Sequence, residues 1–169
     1  MEATDLQREL EILHADSFGW ALSCCRQRKD DAEEVLQTAY IKVLDGRAKF
    51  EGRSSFRTWF FGVIRRTASE QHRRRWLRDT LLKRWFAGQP WRLSVSAASP
   101  ETGGDSSLLR SAISRLPERQ QQVLHLVYYQ DLTVEEAAGV LGVSLGTART
   151  HFDRGKRRLR QLLAPQEVH

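Results

Sequence analysis

Two helix starts and one helix stop lie within a single short stretch, Asp131 to Arg154, and such a spacing builds little else than two helices meeting at a tight turn. Thr133 can accept from the free amides of a new helix while Glu136 reaches back to it, a capping box that opens a helix through Leu141. Gly142 can take the left-handed conformation that an abrupt reversal needs, and Ser144 can cap the second helix. The pattern predicts a helix-turn-helix. On the second helix Ala148, Phe152, Gly155 and Leu159 share one face and should pack inward. Thr147, Arg149, Thr150, Asp153 and Arg154 then point elsewhere, where they can meet base edges or phosphates in a major groove. A plain helical hairpin with a solvated charged face has the same spacing. The basic run Arg154, Lys156, Arg157, Arg158 and Arg160 weighs toward DNA.

With 169 residues and a net charge of +6, the chain has room for one domain or two small ones and suits a partner that carries phosphates. No apolar run approaches the ~20 residues that span a bilayer, and the opening residues Met1 to Asp5 lack the basic-then-apolar order of a signal peptide. A cytoplasmic protein without membrane insertion is therefore expected. Cys24 and Cys25 are neighbours, so a mutual disulfide would be strained, and no second Cys or His pair completes a metal set. Reduced, partly buried thiols are expected, with no metal and no cofactor. His14, His72, His125, His151 and His169 are scattered, with neither clustered carboxylates nor a nucleophile-to-base spacing, so no catalytic residue is expected.

From Leu6 to Gln27 the apolar residues Leu6, Leu10, Leu13, Phe18, Ala21 and Leu22 recur at mostly helical intervals, as in a core helix. Asp30, Asp31, Glu33 and Glu34 give an acidic first turn to the next helix, whose apolar residues are Val35, Leu36, Ala39, Val43 and Leu44. Its polar face holds Glu34, Gln37, Thr38 and Lys42, and periodicity alone reads that face as solvated. Two glycines break the pattern between Gly46 and Arg53, and Ser54 or Ser55 can cap a third helix. On that helix Phe56, Trp59, Phe60, Val63, Ile64 and Thr67 form one stripe, while Arg57, Phe61, Arg65, Ser69 and His72 lie off it. An exposed aromatic among arginines suits single-stranded or opened nucleic acid, because cations neutralise phosphates while aromatic faces stack on unpaired bases. The competing reading places Phe61 under a neighbouring helix and leaves the arginines as surface.

Beyond Lys83 the composition shifts to Gly, Pro and Ser, which reads as a flexible connection over 87–106. Trp85, Phe86 and Trp91 are unusual in such a segment and suit docking on a partner or on the first domain. Helix resumes from Leu108 to Arg115, Pro117 suits the first turn of another helix, and Val123, Leu126 and Val127 give that one an apolar face. The expected fold is all-α: two small helical domains, 1–86 and 107–169, joined by the connection.

Several motifs in this order resemble the bacterial extracytoplasmic-function sigma factors, the minimal alternative sigma subunits of RNA polymerase. They are the Asp31 to Lys42 helix, the Phe56 to Arg65 stretch with its basic continuation through Arg75, and Leu116-Pro117 leading into the helix-turn-helix. The resemblance spans nearly all of His14 to Leu163 apart from the connection. It implies a region 2-like domain over 1–86 that binds the polymerase clamp and reads and melts the minus-ten element. It also implies a region 4-like domain over 107–169 that reads the minus-thirty-five element. Clamp contacts would fall on Asp31, Glu34, Gln37, Thr38 and Ile41, with Thr38 standing where an acidic residue is common. The flipped-base pocket would fall on the loop ending at Phe50 and on Arg66, where Asn is common, and Glu70 stands where Asp is frequent. Arg53, Phe61, Arg65, Arg73 and Arg74 would complete the downstream contacts. Arg149, Thr150, Asp153 and Arg154 occupy the upstream reading positions, flanked by Thr147, Arg157 and Arg158. Asp153 can accept from a cytosine amine or orient Arg149. The implied partners are core RNA polymerase, promoter DNA and an anti-sigma factor. A helix-turn-helix regulator or antiterminator that does not join polymerase shares the second half of the pattern.

Overall fold

The helix signals resolve into eight α-helices and, among the described residues, no strand. The computed structural model describes residues 3–85, 87 and 104–164. The expected flexible connection lies largely outside them, as do Phe86, Trp91 and His169. The helices are α1 (Ala3–Ile12), α2 (His14–Cys24), α3 (Lys29–Leu44), α4 (Phe56–Trp85), α5 (Gly104–Ser114), α6 (Glu118–Tyr128), α7 (Val134–Leu141) and α8 (Leu145–Leu163).

The first segment is two helices, not one. Leu13 breaks it with φ −86° and ψ 0°, yet both pieces bury the same apolar set, including Leu10, Leu13 and Ala21. In α3 the residues Val35, Leu36, Ala39 and Val43 are buried as the periodicity requires, whereas Leu44, expected on the same face, is 59% exposed at the helix end. Ser55 caps α4, accepting from the Thr58 amide at 3.1 Å. The fifth helix starts at Gly104, inside the segment read as connection.

Three polar rungs hold α3 against α4 in antiparallel order. Asp31 takes both guanidinium nitrogens of Arg75, at 2.6 and 2.8 Å. Gln71 donates to Thr38 Oγ1 at 3.2 Å, and Lys42 donates to Glu70 at 2.6 Å and to Thr67 Oγ1 at 3.2 Å. The Asp31–Arg75 rung is bidentate, and a pair of that kind is both stronger and more directional than an isolated surface pair.

Residues 104–164 fold around the helix-turn-helix as read. The capping box is complete: the Glu136 amide donates to Thr133 Oγ1 at 3.1 Å, and the Thr133 amide donates to the Glu136 carboxylate at 2.8 Å. Gly142 is left-handed at φ 65°, ψ 36°, and Ser144 accepts from the Thr147 amide at 3.1 Å. Ala148 and Gly155 are buried, Gly155 against Leu124 of α6, and the Phe152 ring lies tilted against Tyr128 at 5.8 Å between centroids. A Cβ at Gly155 would come within 3.1 Å of Leu124 Cδ1, so a side chain there would press on α6 where α8 crosses it.

The two halves are packed on one another, α4 against α7 and α2 against α6. Phe61 shows that α4 is covered from more than one side. The expected exposed aromatic is fully buried, its carbonyl accepting from Trp20 Nε1 at 3.0 Å and the two rings lying 6.3 Å apart. Helix α4 is covered on its second side by α2 and α7, which a single-helix stripe cannot anticipate.

Candidate nucleic-acid and polymerase interfaces

Side chains able to meet a large partner fall into three groups. On α3 the residues Glu34, Gln37 and Ile41 are exposed and share one face, with Ile41 48% exposed and Leu44 beside its end. Thr38 belongs to the same face but is half-buried and accepts from Gln71. Asp31 does not share in this surface. Its side chain is held by Arg75 and, at 2.7 Å, by Arg28, and the Arg75 hydrogen bonds keep its carboxyl below the usual range against the opposing effect of burial. A carboxylate so engaged fixes the scaffold and has little left to offer a partner.

Around the start of α4 the aromatic side chains cluster. Phe50 is half-buried, 5.5 Å from Phe56 and 5.3 Å from Trp59 between centroids, at the mouth of a loop whose Gly46 and Gly52 both need positive φ. Arg53 is exposed and pairs with Glu51 at 2.9 Å. Along α4, Arg66, Arg73 and Arg74 are exposed, while Glu70 is engaged by Lys42. Arg65 is the exception among the expected contacts: it faces a cavity of about 260 Å³ lined also by Ser69, His72, Glu118 and Gln122, and its buried Nε meets no protein acceptor. It thus points into the seam between the halves. The sequence stripe put Arg65 on the free surface because it took no account of α6. Past Ala68 the helix emerges with Trp76 and Trp85 exposed.

The third group lies on α8. Thr147, Arg149, Thr150, Asp153, Arg154, Arg157 and Arg158 are all exposed. Two of them are internally engaged: Thr150 Oγ1 donates to the Gly146 carbonyl at 2.9 Å, and Asp153 lies 3.6 Å from Lys156 Nζ instead of orienting Arg149. Of Arg149, Thr150, Asp153 and Arg154, the two arginines therefore carry most of the donor capacity, and a guanidinium fork matches guanine in the major groove.

Three features escaped the sequence reading. Trp20, outside the apolar set Leu6, Leu10, Leu13, Phe18, Ala21 and Leu22, is the fully buried pivot between Phe61 and His125, with a ring distance of 5.5 Å to the latter. Burial lowers His125 to about 4, so it is a neutral ring at ordinary pH. Gln130 is 4% exposed and bonds across the halves. Its only sequence signal was a turn position, which says nothing of partners far along the chain. The thiols behave as expected: Cys24 is raised well above its ordinary value by burial, and burial pushes Cys25 up to about 11. No cluster of three or more metal-ligating side chains occurs among the described residues, and no described helix is long and apolar enough to cross a membrane.

Comparison with known proteins finds the same division. Sigma-70 region 2 matches residues 13–78 and sigma-70 region 4 matches residues 106–159. The RNA polymerase sigma factor YlaC of Bacillus subtilis is 29% identical over 139 residues, covering 78% of this chain and 77% of that protein. The RNA polymerase sigma factor HrpL of Pseudomonas syringae pv. syringae is 28% identical, covering 80% and 75%. Among solved structures, the sigma factor RpoE of Bartonella quintana, in complex with the anti-sigma factor NepR, superposes with a TM-score of 0.73 at 22% identity, over 96% of this chain and 98% of that one.

Proposed function

The chain belongs to the sigma-70 family, in its extracytoplasmic-function branch, and we propose that it grips core RNA polymerase through the α3 face of Glu34, Gln37 and Ile41 while α4 and α8 hold the two promoter elements. It is an alternative sigma factor that directs promoter-specific initiation. The observation that carries this reading is the ordered pair of matches, region 2 over 13–78 and region 4 over 106–159, on one chain. A helix-turn-helix regulator that never joins polymerase leaves the region 2 match without a purpose.

Within that function the residues divide by chemistry. Arg149 and Arg154 read the upstream element, whereas Arg157 and Arg158 hold phosphate and position the helix. Arg66, Arg73 and Arg74 serve the downstream element, with Phe50 as a stacking platform at the edge of the aromatic cluster. Melting is driven by binding energy, and phosphodiester synthesis remains with the polymerase, so the protein itself is not an enzyme. It acts where polymerase acts, in the cytoplasm, and an anti-sigma partner fits the same surfaces. The region 2 unit falls within 1–86, and the region 4 unit takes in the whole of α5, so it begins at Gly104 and not at the 107 read from sequence.

The test is association with core polymerase in sizing or pull-down experiments at moderate salt, followed by run-off transcription from a two-element promoter. Absence of association sinks the reading. For the upstream reader, Arg149→Ala and Arg154→Ala should each lose ~1–3 kcal/mol of discrimination, and Arg157→Ala should weaken specific and random duplexes alike. Equal losses on both duplexes for the first two would overturn their assignment.

A further inference from the structure

We propose that the cavity lined by α2, α4 and α6 is a binding site for a small zwitterion, an ammonium and a carboxylate on one short carbon chain, with Arg65 taking the carboxylate and Gln122 the ammonium. The site is separate from the α3 face and from the α8 reader, and it does not depend on the sigma factor reading.

Helical spacing assembles its walls. Arg65, Ser69 and His72 follow one another along one face of α4, and Glu118 and Gln122 stand one turn apart on α6 with Arg119 beside them. Helix α2 packs against both and adds Cys24 to the lining. The enclosed volume is about 260 Å³, far more room than one water needs. Cys24 brings no charge of its own, because burial raises its thiol well above the ordinary value.

Two polar atoms in these walls are buried without a protein partner, Arg65 Nε and Gln122 Oε1, and they ask for opposite things. Arg65 Nε donates from a cation, and a buried cation is costly unless an anion meets it. Gln122 is 4% exposed, and its Nε2 donates to Glu118 Oε1 at 3.1 Å. That contact fixes which way the amide points, so Oε1 is the end left wanting a donor. A carboxylate stands beside it, and a donor seated between an amide oxygen and a carboxylate is favoured when it is a cation. Arg119 and the first turn of α6, which no side chain caps, strengthen the anion side of the same cavity.

The ligand must therefore accept on one side and donate, with positive charge, on the other. A bare anion leaves Gln122 unanswered, and an amine alone leaves Arg65 unanswered. A zwitterion satisfies both and brings no net charge into a partly closed space.

The test uses the full chain at constant ionic strength, followed through its amide NMR spectra. Glycine, β-alanine and γ-aminobutyrate carry the same two charges at increasing separation, and the one that spans Arg65 and Gln122 should bind saturably and more tightly than the others. Acetate and methylammonium, each with half of the chemistry, should bind about tenfold more weakly or worse. Arg65→Gln should weaken the best zwitterion about tenfold and acetate with it, whereas Glu118→Gln should weaken the zwitterion and spare acetate. Gln122→Met removes the orphan acceptor at similar side-chain length and should lower affinity about fivefold. Arg110→Gln, on α5 and outside the cavity, should change nothing. Where Arg65→Gln fails to fold, Arg119→Gln should show the same loss of both zwitterion and acetate. Absence of saturable binding by all three zwitterions, as in a cavity that takes only water, overturns the proposal. So does acetate that binds as tightly as the best zwitterion, or a Gln122→Met protein that binds it like the parent.

Discussion

The helix-turn-helix and the first half of α4 were both read from sequence by the same periodicity, and they came out differently. In the first, each signal acts over three or four residues: Thr133 with Glu136, Gly142 at the reversal, Ser144 with Thr147. In the second, the stripe Phe60, Val63, Ile64 and Thr67 is buried as read, but Phe61 on the other side is buried too, by residues 41 and more positions away. Local hydrogen bonding is written where it acts. Burial by other helices is written elsewhere in the chain, on Trp20 of α2 and on α7, in side chains whose own periodicity marks only that they are apolar.

The largest effect that can break this comparison is at Trp20. Trp20→Ala should cost ~3–5 kcal/mol, lowering the unfolding midpoint of the first half and loosening the second, because it removes the ring shared by Phe61 and His125. Denaturant unfolding checks it; a loss confined to residues before Trp85 would show that α4 is covered by its own half alone.

Acid should weaken the same seam. His125 is held near 4, so the parted or unfolded chain, with an ordinary value near 6.5, binds the proton more readily. Stability is therefore full above about pH 6.5 and falls as pH drops toward 4, by up to ~1.4 kcal/mol per unit. Asp31, lowered by Arg75, contributes with the same sign but at lower pH, below the ordinary carboxylate range. Unfolding curves between pH 7 and 5 isolate the histidine, and His125→Phe should flatten them.

A smaller effect tests packing inside the second half. Gly155→Val should cost ~1–3 kcal/mol, since even a Cβ meets Leu124 at 3.1 Å. Thermal unfolding of the full chain would show it, and no change would mean that α8 can slide off α6. The smallest is the cap. Thr133→Ala should lose ~1 kcal/mol, measurable by the same method, and a much larger loss would show that the local signal also carries long-range packing.

Legibility of the sites follows the same division. The α8 face was fully readable because one helix and its inward residues decide it; Arg149 and Arg154 are exposed as the spacing requires. Asp31 and Arg65 were not. Both carry the right charge on the right helix, but Asp31 is consumed by Arg75, 44 residues away, and Arg65 looks at α6. Charge can be read from a sequence, while the direction of a charge depends on what packs beside it.

The rungs between α3 and α4 make the proposed polymerase grip and the proposed DNA reader a single caliper. Asp31 with Arg75, Thr38 with Gln71 and Lys42 with Glu70 lock the two helices in one register along ~16 Å of α3. A slip by one turn would break all three together. The exposed arginines of α4 are consequently set at a fixed offset from the Glu34, Gln37 and Ile41 face, so that under the proposed function whatever seats α3 also sets where along the duplex Arg66 and Arg73 fall, with no adjustable joint in between.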